Sequence, residues 1–180
     1  SIRELKRAAA DAVDFATLEI PKIKENGIKI AVIGSGPAGL TAAYNLRLKG
    51  YSVTIFEALD VLGGMLRVGI PDYRLPNEVV DREIDYLLRH GIEARTGVRF
   101  GEDMTLESLA GEGYAAVLLG IGLQGGMNMN VPGNGTEGVL DAIRFLREVN
   151  LGDRKQVNAR SVVVGGGNVA IDAARAAKRL

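Results

Sequence analysis

The chain alternates short apolar runs with longer amphipathic segments. Four of the runs are rich in β-branched or aliphatic residues and are bounded by turn residues, a pattern that predicts strands. They are IKIAVIG (28–34), YSVTIFE (51–57), IEARTGVRF (92–100) and YAAVLLGIG (114–122). A fifth run, VVVG at 162–165, predicts a buried strand close to the end of the sequence.

The amphipathic segments repeat apolar residues at helical spacing. The first begins with a capping pattern of Ser1 and Glu4, shows no chemistry and is expected to serve packing. The other helices are expected from Pro37 to about Lys49, from Asn77 to Gly91, near 105–110, over 136–150 and after 167. Strands that alternate with helices favour a parallel sheet covered on both faces, so the fold class is α/β.

Composition and charge limit the functions that the chain can have. Lys plus Arg and Asp plus Glu number 22 each, so the net charge is zero and no basic surface for nucleic acid is indicated. No apolar run reaches the ~20 residues that span a bilayer, and no leader opens the chain, so we expect no membrane insertion and a cytoplasmic protein.

Cysteine is absent, which excludes thiolate-bound iron–sulfur clusters, redox dithiols and catalytic thiols from these 180 residues. The single histidine, His90, falls in the last turn of a predicted helix and is expected to cap it rather than act as a base. We therefore identify no catalytic side chain and no metal ligand.

The first glycine motif follows the first predicted strand and opens the next helix. Gly34, Gly36 and Gly39 form G-x-G-x-x-G, with Pro37 in the first helical turn. Such glycines allow the tight turn, the approach of a pyrophosphate to the backbone and close helix–strand packing. Glu57 ends the next strand 23 residues after Gly34, near the spacing expected for a carboxylate on a ribose. The motif predicts a dinucleotide site.

The segment after Glu57, ALDVLGGMLRVGIPDYRLP, is longer than a simple nicotinamide-binding unit needs. An extended loop suits a larger ligand, and FAD is the natural candidate. Gly63 and Gly64 would allow close backbone approach. Arg74 either meets a phosphate or flavin carbonyl or is a surface arginine.

A second motif, SVVVGGGNVAIDAARAAKRL, repeats the first with Ala170 in the third glycine's place. Gly165 and Gly167 follow Gly34 and Gly36 at the same offset of 131 positions. The alternative is a helix–strand packing turn, because the confirming acid would fall about 20 residues after Gly165, beyond Leu180. We therefore expect the sequence to be a fragment cut inside a second dinucleotide domain.

The chain resembles the small (β) subunit of NAD(P)H-dependent glutamate synthase. Related proteins are the flavin domain of dihydropyrimidine dehydrogenase and the flavoprotein subunit of bifurcating ferredoxin:NADP oxidoreductases. Matching segments run from SIRELKR at the start through VIGSGPAGL, IFEALDVLGG and EIDYLLRHGI to GGGNVAIDAAR, and GIPDYRLP is the most specific of them. The chain departs from the family at Ala115, where many members have Asp, and at GGMNMN, 125–130.

The resemblance implies which residues hold each cofactor. FAD would lie on the first motif and the loop after it, with Phe100 meeting the adenine through its backbone, and NAD(P)H would lie on the second motif. The implied FAD residues are Gly34, Ser35, Gly36, Pro37, Ala38, Gly39, Glu57, Gly63, Gly64, Met65, Arg74 and Phe100. The implied NAD(P)H residues are Gly165, Gly166, Gly167, Asn168 and Val169.

These expectations give three segments: an N-terminal helical segment (1–26), an FAD-binding Rossmann-like domain (27–157) and the start of an NAD(P)H-binding domain (158–180). The link LGDRKQVNAR at 151–160 is the expected boundary. FAD would accept a hydride from NAD(P)H and pass electrons to iron–sulfur centres in absent segments or a larger catalytic partner. The alternatives are a nucleotide-binding subunit or sensor without turnover, and a disulfide-reductase-like flavoprotein with its cysteines elsewhere.

Overall fold

The computed structural model describes residues 1–126, 129–153, 157 and 160–180. The helices are α1 (Ile2–Asp11), α2 (Pro37–Leu48), α3 (Met65–Val68), α4 (Asn77–Leu88), α5 (Leu106–Gly111), α6 (Ala142–Asn150) and α7 (Asn168–Ala177). The strands are β1 (Lys29–Ile33), β2 (Ser52–Phe56), β3 (Glu93–Arg95) and β4 (Tyr114–Leu119). Within the described ranges, no helix is both long and apolar enough to cross a bilayer.

The four strands form one parallel sheet in the order β3-β2-β1-β4. Ile33 at the end of β1 lies beside Phe56 of β2 and Leu119 of β4. The carboxyl ends of the three strands therefore meet at one edge, where ligands bind in open α/β sheets.

Side chains alternate across β1 and fill two cores, one on each face of the sheet. Val32 faces the core that α2 and α4 cover, together with Ile55 and Ile84. Ala31 and Ile33 face the opposite core, which α5 and the loop before it cover. The sheet is thus buried on both sides at β1, and the loop that follows β1 starts from a rigid strand.

Helices α6 and α7 form a third, smaller cluster. Phe145 and Leu146 of α6 pack against Ala173 and Ala176 of α7, and all four side chains are buried. The small alanines let the two helices approach closely. This cluster is therefore one of the contacts that attach the helix of the second glycine motif to the rest of the molecule.

The predicted strand before the second motif is wrong. Residues 162–164 form no strand, and Val162 and Val164 are 90% and 69% exposed. A strand needs a neighbour for its backbone groups, and no strand of the described residues lies beside this run. The expected boundary at 151–160 and the segment GGMNMN fall partly on residues outside the described ranges (127–128, 154–156 and 158–159).

Two further expectations differ from the structure, and a third is confirmed. Helix α6 begins after Asp141 rather than at Thr136, because the Asp141 carboxylate caps it by accepting the Arg144 N–H at 2.8 Å. Helix α1 has the predicted capping box, but it buries none of its residues. His90 follows α4 and caps its C-terminal end as expected: its ring Nδ1 donates to the Tyr86 carbonyl at 2.9 Å, and the side chain is buried between the rings of Tyr44 and Tyr86.

We expect Leu146→Ala to release α7 from α6. Leu146 is only 1% exposed, so the change leaves a cavity and costs about 2–4 kcal/mol of unfolding free energy. Urea unfolding gives the loss, and hydrogen exchange should show α7 amides losing protection while β1 amides keep it. Leu140→Ala, at a side chain 65% exposed, is the control. Full α7 protection in Leu146→Ala would contradict the role of this cluster.

Candidate functional site

The first glycine motif begins where β1 ends. Gly34 has φ +98°, and its N–H donates to the Phe56 carbonyl at 2.8 Å. A Cβ on Gly34 would come within 2.5 Å of the Gly120 carbonyl oxygen, and one on Gly39 would overlap the Gly34 carbonyl oxygen. The first and third glycines are thus required by the fold itself, as the motif predicts.

The second glycine of the motif has a different role. Gly36 is the N-cap of α2 with φ −69° and ψ 179°, a conformation that any residue adopts, and no side chain caps the helix. A Cβ on Gly36 would meet only the Gly64 Cα, at 4.0 Å. Pro37 has no N–H, and the first helical hydrogen bond runs from Leu40 N–H to the Gly36 carbonyl. The N–H groups of Ala38 and Gly39 therefore have no partner within the helix and are free to bind an anion.

Glu57 is buried against this loop, with an exposed fraction of 7%. One carboxylate oxygen accepts the Ser35 N–H at 2.9 Å and the Ser35 hydroxyl at 2.6 Å. The other accepts the Leu59 N–H at 3.0 Å. The acid predicted to bind a ribose therefore also holds the glycine loop in place, a role that its spacing did not indicate.

Gly63 and Gly64 pack against the first glycine motif. Gly63 N–H donates to the hydroxyl of the fully buried Ser35 at 3.1 Å. Gly64 has φ +53° and caps the short helix that starts at Met65, and a Cβ on it would lie 2.7 Å from the Gly36 Cα. The two glycine segments thus touch backbone to backbone, which requires glycine at position 64.

Phe100 follows β3 and lies on the face of the sheet that carries the second core. The chain leading to it is joined to the end of β2 by a hydrogen bond from Val98 N–H to the Glu57 carbonyl at 2.9 Å. The backbone of Phe100 bridges to Met104, and its ring packs on the second core. The adenine contact of the Phe100 backbone stays a prediction.

The second glycine motif repeats the local backbone of the first. Gly165 has φ +125°, and Gly167 caps α7 with φ −78° and ψ 174° and without a side-chain hydrogen bond. The first helical bond runs from Ile171 N–H to the Gly167 carbonyl at 3.1 Å. The N–H groups of Asn168 and Val169 are therefore free of helical partners, and a Cβ on Gly166 or Gly167 would meet no atom within 4 Å.

Arg74 is paired with the helix of the second motif. Its guanidinium Nη1 donates to a carboxylate oxygen of Asp172 in α7 at 2.6 Å. The Tyr73 hydroxyl donates to the other oxygen of Asp172 at 3.2 Å. Burial raises the pKa of Tyr73, and the neighbouring Asp172 charge adds to this, so the phenol remains a donor.

The sequence analysis missed Tyr73 and Asp172. The available signal was the position of Asp172 in the predicted helix, where it shares a face with Ala173 and Ala176, and all three are buried. An acid on a buried helix face needs a partner, but no local pattern indicated that this partner is Arg74.

Comparisons with known proteins identify the family and the fold of the chain. A family model described as pyridine nucleotide-disulphide oxidoreductase matches residues 28–180. The β subunit of NADP(+)-dependent formate dehydrogenase from Moorella thermoacetica is 46% identical over 86% of this chain and 22% of its own length. The β subunit of NADPH-Fe(3+) oxidoreductase from Geobacter sulfurreducens is 42% identical over 99% of this chain and 28% of its own length.

The small chain of NADPH glutamate synthase from Mycobacterium tuberculosis is 38% identical over 84% of this chain and 34% of its own length. The chain thus spans between about a fifth and a third of these relatives. FprA of Mycobacterium tuberculosis in complex with NADPH superimposes with a TM-score of 0.70 at 26% identity, over 82% of this chain and 36% of FprA. The resemblance to glutamate synthase small subunits and the Rossmann-like fold class are confirmed.

We expect Glu57→Gln to destabilise the protein without any ligand. The amide keeps one oxygen, but its NH₂ group would face an N–H donor that the carboxylate now satisfies. Leaving that donor unpaired costs about 1–3 kcal/mol of unfolding free energy, measurable by urea unfolding. Glu102→Gln, at a side chain 73% exposed, is the control and should change stability by less than about 0.5 kcal/mol. Equal stability of the two variants would show that the Glu57 contacts are unimportant to the fold.

Proposed function

Because the chain belongs to the pyridine nucleotide-disulphide oxidoreductase family, we propose that it is the electron-entry part of an FAD-dependent NAD(P)H oxidoreductase. The first glycine motif holds FAD, and the second contributes to the NAD(P)H site. The chemistry that FAD supplies when bound is the acceptance of a hydride from NAD(P)H and the release of electrons to a further carrier. The protein supplies binding and orientation.

One observation supports this proposal most strongly: α2 and α7 begin in the same way, each at a glycine without a side-chain cap. Gly36 and Gly167 have nearly equal backbone angles, each follows a glycine with positive φ by two residues, and neither helix has a side-chain cap. Side-chain caps normally satisfy the first N–H groups of a helix. These two helices leave their first N–H groups free, and the glycines before them keep side chains away from those groups. Each helix start therefore suits a phosphate group.

The residues of the first site fit FAD. A Cβ on Gly36 would meet no side chain within 4 Å, and the Gly64 Cα lies on the other side of this space. The N–H groups of Ala38 and Gly39 would bind the pyrophosphate. A carboxylate has about four acceptor positions. Glu57 uses three of them within the protein, so it can accept a ribose hydroxyl and keep its loop contacts.

The residues of the second site fit a second phosphate group. Gly166 and Gly167 leave open space at the start of α7, where Asn168 and Val169 present their N–H groups. NADPH or NADP(+) occurs in the names of the relatives from Moorella, Geobacter and Mycobacterium. We infer that the exchanging nucleotide of this chain is of the same kind.

The electron acceptor is proposed to be an iron–sulfur centre or a larger catalytic subunit. The relatives are named as β subunits or small chains, which indicates assemblies with other subunits. The chain has no cysteine, so thiolate-bound clusters would lie in other segments or in a partner. Without cysteine, these 180 residues also contain no redox dithiol.

We expect Gly36→Ala and Gly167→Ala to separate the two sites. Both positions adopt angles that alanine tolerates, and an added Cβ meets nothing closer than 4.0 Å, so melting temperatures without ligand should not change. Each methyl group would occupy the phosphate approach and weaken binding by about tenfold or more. Gly36→Ala should lose FAD, whereas Gly167→Ala should keep FAD and lose NAD(P)H affinity.

The measurements are FAD content after purification, FAD titration of the apoprotein and anaerobic bleaching of the flavin by NADPH or NADH. Each variant is the matched control of the other. FAD retained at full affinity in Gly36→Ala would contradict the first assignment. A wild-type flavin that neither nucleotide bleaches would contradict the oxidoreductase proposal and favour nucleotide binding without turnover.

A further inference from the structure

Tyr73, Arg74 and Asp172 join two segments that are distant in sequence. Tyr73 and Arg74 lie in the loop between α3 and α4, and Asp172 lies in the second turn of α7. Arg74 donates to one carboxylate oxygen of Asp172 at 2.6 Å, and the Tyr73 hydroxyl donates to the other at 3.2 Å. We call these three residues the loop–helix bridge.

Because Asp172 is buried, its carboxylate depends on the two donors of the bridge. The Asp172 side chain is only 6% exposed, and it shares its helix face with the buried Ala173 and Ala176. A carboxylate in such surroundings is costly unless donors satisfy both oxygens. Both donors come from the same loop, so α7 in this position requires the loop in this conformation.

Two more cations hold the loop against α7. The guanidinium groups of Arg175 and Arg179 lie 4.3 and 4.1 Å from the centre of the Tyr73 ring. Cation–π contacts at this distance add to the hydrogen bonds. The Tyr73 ring is thus fixed by α7 at both its hydroxyl and its face.

The other end of the loop leads back to the first glycine motif. Gly64, which touches Gly36, caps α3, and α3 is followed directly by the loop that contains Tyr73. Asn150 at the end of α6 donates to the Val68 carbonyl of α3 at 2.9 Å. A continuous path of contacts therefore runs from Gly36 through Gly64 and α3 to Asp172, which lies five residues after Gly167.

We infer that the loop–helix bridge is a positioning contact that sets the second dinucleotide motif relative to the first. This inference rests on the proposed function and adds residues that touch neither nucleotide. In this inference Arg74, which the resemblance implies as an FAD residue, acts through Asp172. Hydride transfer needs the two rings in one alignment, and a displacement near 1 Å can cost about a hundredfold in rate.

The test compares Asp172→Asn, Arg74→Gln and the double variant in the purified protein. We expect full FAD content in each, with the rate of anaerobic flavin reduction by NADPH or NADH lowered by about tenfold to a hundredfold. The double variant should be no slower than the slower single variant, because the pair acts as one unit. Arg74→Lys should recover part of the rate, since an ammonium can still pair with Asp172.

Arg7→Gln is the matched control, because Arg7 forms an exposed ion pair with Asp11 on α1, with side chains 73% and 54% exposed. It should leave the reduction rate unchanged. A merely structural bridge would lower the melting temperature of Asp172→Asn but leave the reduction rate at 25 °C within twofold, which would overturn the inference. Loss of FAD in Arg74→Gln but not in Asp172→Asn would also overturn it, since Arg74 would then be a flavin ligand.

If Asp172→Asn fails to fold, Tyr73→Phe decides, because it removes one hydrogen bond and keeps the ring on which Arg175 and Arg179 lie. We expect it to reduce its flavin a few-fold more slowly, and a rate equal to wild type would overturn the inference. A wild-type flavin that neither nucleotide reduces contradicts the proposed function, and the positioning role falls with it. Normal wild-type reduction with unaffected variants contradicts the positioning role alone.

Discussion

The hydrogen bonds between Glu57 and Ser35 are the contact on which the first site depends. They join the end of β2 to the loop after β1, and the Ser35 hydroxyl extends the connection to Gly63. Without a buried acceptor, the Ser35 N–H would lose its partner in a place that water does not reach. The carboxylate therefore shapes the glycine loop before any ligand arrives, and a preformed loop loses less conformational entropy when it binds.

Backbone contacts transmit this order across the molecule. Gly64 lies so close to Gly36 that a side chain on Gly64 is excluded. Helix α3 follows, and Arg74 in the loop after α3 pairs with Asp172. The two glycine motifs are 131 positions apart in sequence, yet they belong to one network of contacts. Glycine serves here in two ways: Gly34 and Gly39 are required by neighbouring atoms, whereas Gly36 and Gly167 have open space around them.

The sequence predicted the parallel sheet, most of its helices and the two glycine turns, because apolar periodicity and glycine spacing are local signals. It did not predict that residues 162–164 remain outside a sheet, since strand formation depends on a neighbour that local pattern does not reveal. It also did not predict the pairing of Arg74 with Asp172, which lie 98 positions apart. The burial of His90 and the loop contacts of Glu57 likewise arise from tertiary packing, which spacing alone cannot show.

The uncapped helix starts at Gly36 and Gly167 have a thermodynamic consequence. In the proposed function, a bound phosphate takes the place of the missing cap, so the nucleotide becomes part of what stabilises each helix. A ligand that binds only the folded state adds stability that grows with the logarithm of its concentration, about 2.7 kcal/mol at a hundred times Kd. The order of α7, and with it the resistance of this region to proteolysis, would then follow the supply of nicotinamide nucleotide around the protein.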